Sequence, residues 1–218
     1  MGGGTAQMTA VVLLVVLSAL LGIVLMQLYK KPNIPPPRTA SPDLSNLRIS
    51  DARAGDVISI DGAGDNLTDL DFTADRHIRY IAGAYRWFEL SGAYRERRVV
   101  LRVAGDEELE VSLHSDPRKL SLIDLGLAEE DLAQMDERQN PEDVFEFDGK
   151  DWRYRRSREV KSWRDGDTEA TCFYYWEFQE REGKRLLTVR KFEGEPFTVA
   201  LHTEIPAGDI TVYRGDRA

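Results

Sequence analysis

A glutamate–arginine set recurs in this chain at one fixed spacing. Glu89 and Glu177 each lie in an aromatic run, Tyr85-Arg86-Trp87-Phe88-Glu89 and Tyr174-Tyr175-Trp176-Glu177-Phe178, and Arg102 and Arg190 follow on the next alternating segments. A carboxylate beside an indole, with a guanidinium on the neighbouring strand, is a polar anchor in an aromatic pocket suited to a cationic or peptide ligand. Trp87, Glu89, Arg102, Trp176, Glu177 and Arg190 are therefore the candidate ligand- or partner-binding residues. The plainer reading is one cross-strand Glu–Arg pair inside each half, worth about 0.2–1 kcal/mol if exposed.

Other reactive types offer less. His114 and His202 share one repeat position at strand ends, with parity opposite to the apolar residues, which predicts outward-facing and well-separated side chains. With His77 they form no spacing that ligates a metal. Cys172 shares parity with Tyr174, Trp176 and Phe178 and is expected to be buried and inert. The stretch from Asp61 to Asp71 is rich in aspartate but lacks the third-position oxygen ligand and sixth-position glycine of a calcium loop. No nucleophile elbow, phosphate loop or dinucleotide fingerprint occurs. No catalytic residue, metal or cofactor is assigned, and the chain reads as a binding protein rather than an enzyme.

Charge is layered. The 218 residues carry 29 Lys+Arg against 38 Asp+Glu, a formal net charge of -9, with none of these groups in residues 1–29. An acidic balance argues against nucleic acid as a partner. A hydrophobic content of 42% with 9% aromatic residues argues against disorder. A single Cys fits a reducing compartment. Residues 129–148 hold nine acidic groups and only Arg138, whereas residues 150–164 hold seven basic groups against Asp151 and Glu159. Within that basic run the alternation sets Arg153 and Arg155 opposite Trp152 and Tyr154. Together with Lys30 and Lys31, Trp152, Arg153 and Arg155 form a candidate contact with anionic lipid or a partner.

The elements that must position these residues come in two sets. Shifting residues 85–114 by 88 positions aligns Glu89 with Glu177, Arg102 with Arg190, Val111 with Val199, Leu113 with Leu201 and His114 with His202. One constant shift across several segments marks an internal repeat. Period-2 alternation in Val99/Leu101/Val103, Leu109/Val111/Leu113 and their counterparts predicts strands joined in hairpins. The expected fold is mainly β: two related halves, 49–120 and 143–218, forming curled antiparallel sheets or a sandwich, with a short helix in an acidic connector at 121–142. Residues 10–29 are almost wholly apolar over 20 positions and predict a single transmembrane helix. Residues 1–9 would be a short non-cytoplasmic tail, and 30–48 a Pro-rich tether. Lys30, Lys31, Arg38 and Arg48 behind the apolar segment place the body in the cytoplasm, at the cell inner membrane, with the N-terminus outside. Ser18 and Gly22 form a small-xxx-small pair that would let two such helices approach in a homodimer.

Several short motifs occur in order: Tyr85-x-Trp87-Phe88-Glu89, Phe147-Asp148-Gly149-x-x-Trp152-x-Tyr154, Tyr174-Tyr175-Trp176-Glu177, Leu186-Leu187-Thr188-Val189 and Pro206-x-x-Asp209-Ile210. Over roughly residues 55–213 the chain resembles the bacterial family catalogued as domain of unknown function 4178. The resemblance brings no activity and no catalytic residues. It implies a setting near membrane-stress proteins of the phage-shock, ESCRT-III-like kind and near polyamine aminopropyltransferases. The expected function is a membrane-anchored β-rich adaptor in such an assembly. The alternative is a sensor of a small cation such as a polyamine, attracted by the acidic body.

Overall fold

The computed structural model describes residues 47–105 and 108–215. Twelve strands and one α-helix are formed in that range. In chain order the strands are β1 (Val57–Ile60), β2 (Leu70–Thr73), β3 (Arg76–Ala82), β4 (Tyr85–Tyr94), β5 (Arg97–Ala104) and β6 (Glu110–His114). Helix α1 (Glu129–Arg138) follows, then β7 (Val144–Phe147), β8 (Lys150–Arg164), β9 (Thr171–Glu180), β10 (Arg185–Phe192), β11 (Thr198–Glu204) and β12 (Ile210–Tyr213).

The expectation of two sheets, side by side or as a sandwich, is corrected. Eight strands run β3-β4-β5-β6-β11-β10-β9-β8, and β8 pairs back onto β3, so the sheet closes into one barrel. The two seams between the halves are hydrogen-bonded ladders. At one, Thr203 faces Leu113 and Glu204 faces Ser112; at the other, Ile78 through Ile81 face Arg164 through Lys161. Four strands alone would leave two open edges per half, and closure removes all of them. The transmembrane helix expected at 10–29 lies outside the described residues. Among the described residues no helix is long and apolar enough to cross a membrane.

Closure also reverses the expected use of the alternation. The apolar positions of each half point out of the barrel, and each flank is covered separately. Over the first half, Leu90, Val99, Leu101, Val103, Val111 and Leu113 pack under a small antiparallel sheet of order β12-β1-β2, through Ile58, Ile60, Leu70, Phe72 and Val212. Gly92 permits this approach, since a Cβ there would lie 2.2 Å from the Thr73 carbonyl oxygen. Over the second half, Trp176, Phe178, Leu187, Val189, Val199 and Leu201 pack under α1 and its approach, through Leu122, Leu125, Leu132 and Met135. The Trp176 indole N–H donates to the Leu132 carbonyl at 3.1 Å. What remains for the lumen is the opposite parity, a set of aromatic, ionised and hydroxyl side chains.

Candidate functional site: the lumen of the barrel

The order of strands decides which side chains meet in the lumen. β4 and β10 stand opposite one another across the barrel, as do β5 and β9. Glu89 and Arg102 are register neighbours on β4 and β5, yet they are not each other's ion partner. Arg102 crosses the lumen to Glu177 at 2.9 Å, with both side chains 0% exposed. Arg190 crosses to Glu89. The repeat has exchanged partners: each half supplies a carboxylate to the other half's guanidinium. The predicted in-half pairs are replaced by two pairs that tie the halves together.

Aromatic hydroxyls complete both carboxylates. The Tyr80 hydroxyl donates to Glu89 at 2.8 Å, and the Tyr175 hydroxyl donates to Glu177 at 2.8 Å. Burial and the adjacent carboxylates push both phenols well above the ordinary tyrosine range, so they stay protonated donors. Burial alone would raise the glutamates. Arg190 beside Glu89, and Arg102, Arg156 and Arg155 beside Glu177, outweigh it and hold both carboxyls below their usual range. The guanidiniums also lie against rings: Arg102 over Trp87 at 5.6 Å and Tyr85 at 5.8 Å, and Arg190 over Tyr80 at 5.3 Å. Tyr80 stacks on Trp87 with centroids 4.9 Å apart.

A bulge in β8 adds to this centre. Tyr154 registers with Phe178 on the outer face, whereas Arg156 registers with Glu177 on the inner one, so Arg155 is the extra residue between them. Bulges re-aim side chains in this way. Arg155 reaches Glu177 at 3.1 Å and the rim residue Glu110 at 2.8 Å; Arg156 lies 3.4 Å from Glu177 and 4.3 Å from the Tyr85 ring centroid. Four arginines thus face two buried glutamates, with Glu110 offsetting one more at the rim.

Of the residues singled out in the sequence, Trp87, Glu89, Arg102, Glu177 and Arg190 converge in the lumen. Trp176 does not, because its parity places it outside under α1. Trp152 is fully buried in the same outer cluster, its indole donating to the Phe147 carbonyl, and Arg155 is committed to the lumen. Only Arg153 of that trio is an exposed cation. Ser18, Gly22, Lys30 and Lys31 lie outside the described residues. His114 and His202 face inward, not outward, with ring centroids 5.5 Å apart. Cys172 is exposed, because its parity is that of the uncovered outer face. Among the described residues no cluster of three or more potential ligands could hold a metal ion.

Sequence reasoning did not single out Tyr80, Tyr85, Tyr175, Arg156 or Thr188 as lumen residues. Their signal was present as the polar–aromatic parity repeated in every barrel strand, opposite to the apolar one.

This architecture defines a class: a closed eight-stranded barrel with an ion-paired, aromatic lumen and separately capped flanks. The chain belongs to the family described as Domain of unknown function (DUF4178), which it matches over residues 53–207. Comparison with curated proteins and with solved structures finds no significant match.

Proposed function

We propose that this protein is a binding module that acts as an adaptor, its barrel carrying an outer groove that docks an acidic, apolar-bearing segment of a partner protein. The observation that carries this reading is a groove of about 600 Å³ beside β3, β4 and β8, at the border of the first-half cover. Half-buried Ile81, Phe88, Leu109 and Trp163 supply an apolar floor, and exposed Arg79 and Arg86 stand over it. Lys161, the register partner of Ile81, adds a third exposed cation. None of the three cations has a carboxylate partner among the described residues. In a chain of net charge -9 such a local excess of free cations selects an anionic occupant, and the concave apolar floor suits a peptide segment.

The interior supports the carrier role. Glu89 and Glu177 are already engaged by arginine and tyrosine, so a small cation in the lumen would have to displace a guanidinium. The test uses the full chain and synthetic acidic peptides with interspersed Leu and Phe, beside charge-reversed peptides and a single-stranded oligonucleotide. Acidic peptides should bind at low salt, weaken with salt, and fail on Arg79→Glu/Arg86→Glu and on Trp163→Ala. Equal binding of the basic peptides or of the oligonucleotide, or no effect of these variants, overturns the reading.

A further inference from the structure

The two inward histidines open a separate question. At the barrel end formed by the start of β11 and the end of β6 lies a cavity of about 110 Å³, lined by Glu89, Arg190, His114, His202, Thr188 and Thr198 among others. That is the room of three to four waters at about 30 Å³ each, or of one small polyatomic ion. It opens toward solvent at the exposed Thr198 and closes at His202, which is 1% exposed.

Its inner wall is rich in unanswered donors. Arg190 directs both terminal nitrogens at Glu89, and its Nε is buried without a hydrogen-bond partner in the protein. His202 Nε2 lies 3.3 Å from the Thr188 hydroxyl, while its Nδ1 is buried without a partner. The Thr188 hydroxyl also lies 3.5 Å from the Ala200 carbonyl oxygen. With its one hydrogen directed to the nearer Nε2, the proton sits on Nδ1, a third kind of donor beside the guanidinium and the Thr198 hydroxyl. Behind this wall Arg102 Nε and Nη1 are also buried and unpartnered. Buried donors in such a number call for an acceptor.

His114 is different. Its Nδ1 lies 2.8 Å from the Leu201 carbonyl oxygen, which can only accept, so Nδ1 carries the proton and Nε2 is the free, lone-pair nitrogen. An occupant must therefore accept from Arg190, His202 and the Thr198 hydroxyl and donate one hydrogen bond to His114. The carboxylate of Glu89 does not repel it strongly, because Arg190 and Tyr80 already engage both oxygens.

We infer that this cavity is a binding site for a small tetrahedral oxyanion that carries a proton, of the hydrogen phosphate kind. The site is independent of the outer groove: it faces the lumen, and none of its six named residues lines the groove. The unanswered Arg190 and His202 donors supply the attraction, the cavity sets the size, and the acceptor on His114 separates hydrogen phosphate from sulfate. Both histidines come from the same repeat position, so only closure of the barrel brings the site together.

The experiment is titration calorimetry of the full chain at constant ionic strength, with inorganic phosphate, sulfate and chloride as probes. Phosphate should bind saturably, and sulfate about tenfold or more weakly for want of the donated hydrogen bond. His202→Gln and Thr188→Val should each weaken phosphate about tenfold while keeping the wild-type circular dichroism spectrum. Where either variant loses that spectrum, Thr198→Val at the exposed mouth takes its place and should weaken phosphate measurably. Absence of saturable phosphate binding, an equal response to sulfate or chloride, or affinity unchanged in every folded variant overturns the inference.

Discussion

The two ion pairs that span the barrel are repeat counterparts, yet they are unequal. Glu177 faces Arg102 at the barrel centre, and Arg155 and Arg156 from the β8 bulge as well. Glu89 has Arg190 alone as a direct ion partner, and the Arg190 side chain keeps 18% of its exposure. The difference originates in strand length. β8 runs for 15 residues, whereas its counterpart β3 has 7, so only the second half carries a basic extension and a bulge to fold it inward. Both copies therefore carry a crossing pair, and the second carries two further cations. With these two cations the lumen holds four arginines against Glu89 and Glu177.

The largest effect expected from this asymmetry falls on Glu177. Removing its charge strands a fully buried Arg102, so Glu177→Gln should destabilise by about 3–5 kcal/mol in urea unfolding. Glu89→Gln should cost less, about 1–3 kcal/mol, because Arg190 can turn toward water. Equal losses would show that the bulge arginines and the exposure of Arg190 do not matter. Next comes the difference between the two covers. Gly92→Ala drives a methyl into the Thr73 carbonyl and should cost about 1–3 kcal/mol by overpacking. Its repeat counterpart, Glu180, carries a full side chain paired with Arg185, so the second half has no such constraint. A thermal midpoint unchanged by Gly92→Ala would mean that the small sheet can move away from β4.

Acid should separate the histidine from the carboxylates. Burial, with His114, Arg102 and Arg190 nearby, holds His202 neutral well below the ordinary imidazole range. A lowered basic pKa means that the unfolded chain takes up this proton first. The contribution is intact above about pH 6.5 and is lost as pH falls below it. Glu89 and Glu177 are also held low, so theirs is intact above about pH 4.3 and lost on further acidification. Stability should fall in two limbs, and His202→Gln should remove the upper one. A flat profile between pH 7 and 5 in the wild type would contradict the buried neutral imidazole. The smallest contrast lies within the basic strand. Arg153→Ala should stay within about 0.5 kcal/mol of wild type, as surface changes do, and Arg155→Ala should exceed it. Similar values for both would remove Arg155 from the lumen network.

Much of the fold is legible in the sequence. The fixed shift of 88 marked the repeat, and the alternation marked strands such as Val99/Leu101/Val103. Glu89, Arg102, Glu177 and Arg190 could be singled out because both copies keep them. Their partners could not. Pairing within a hairpin is a local matter, whereas the Arg102–Glu177 contact depends on β5 and β9 standing opposite each other after eight strands have closed. The same limit explains the histidines. Parity placed His114 and His202 on the face opposite the apolar residues, but a soluble sheet usually shows that face to water.

The sequence by itself determined the repeat, the strand periodicity and which side chains share a face, because these are properties of neighbours along the chain. The tertiary structure decided which face became the inside. Each apolar face received its own cover, from the β12-β1-β2 sheet or from α1, and the seams at β6–β11 and β3–β8 removed the edges. The period-2 pattern separates two faces but carries no information about curvature. Only long-range pairing makes one of them concave, and that choice enclosed the ions and the histidines together.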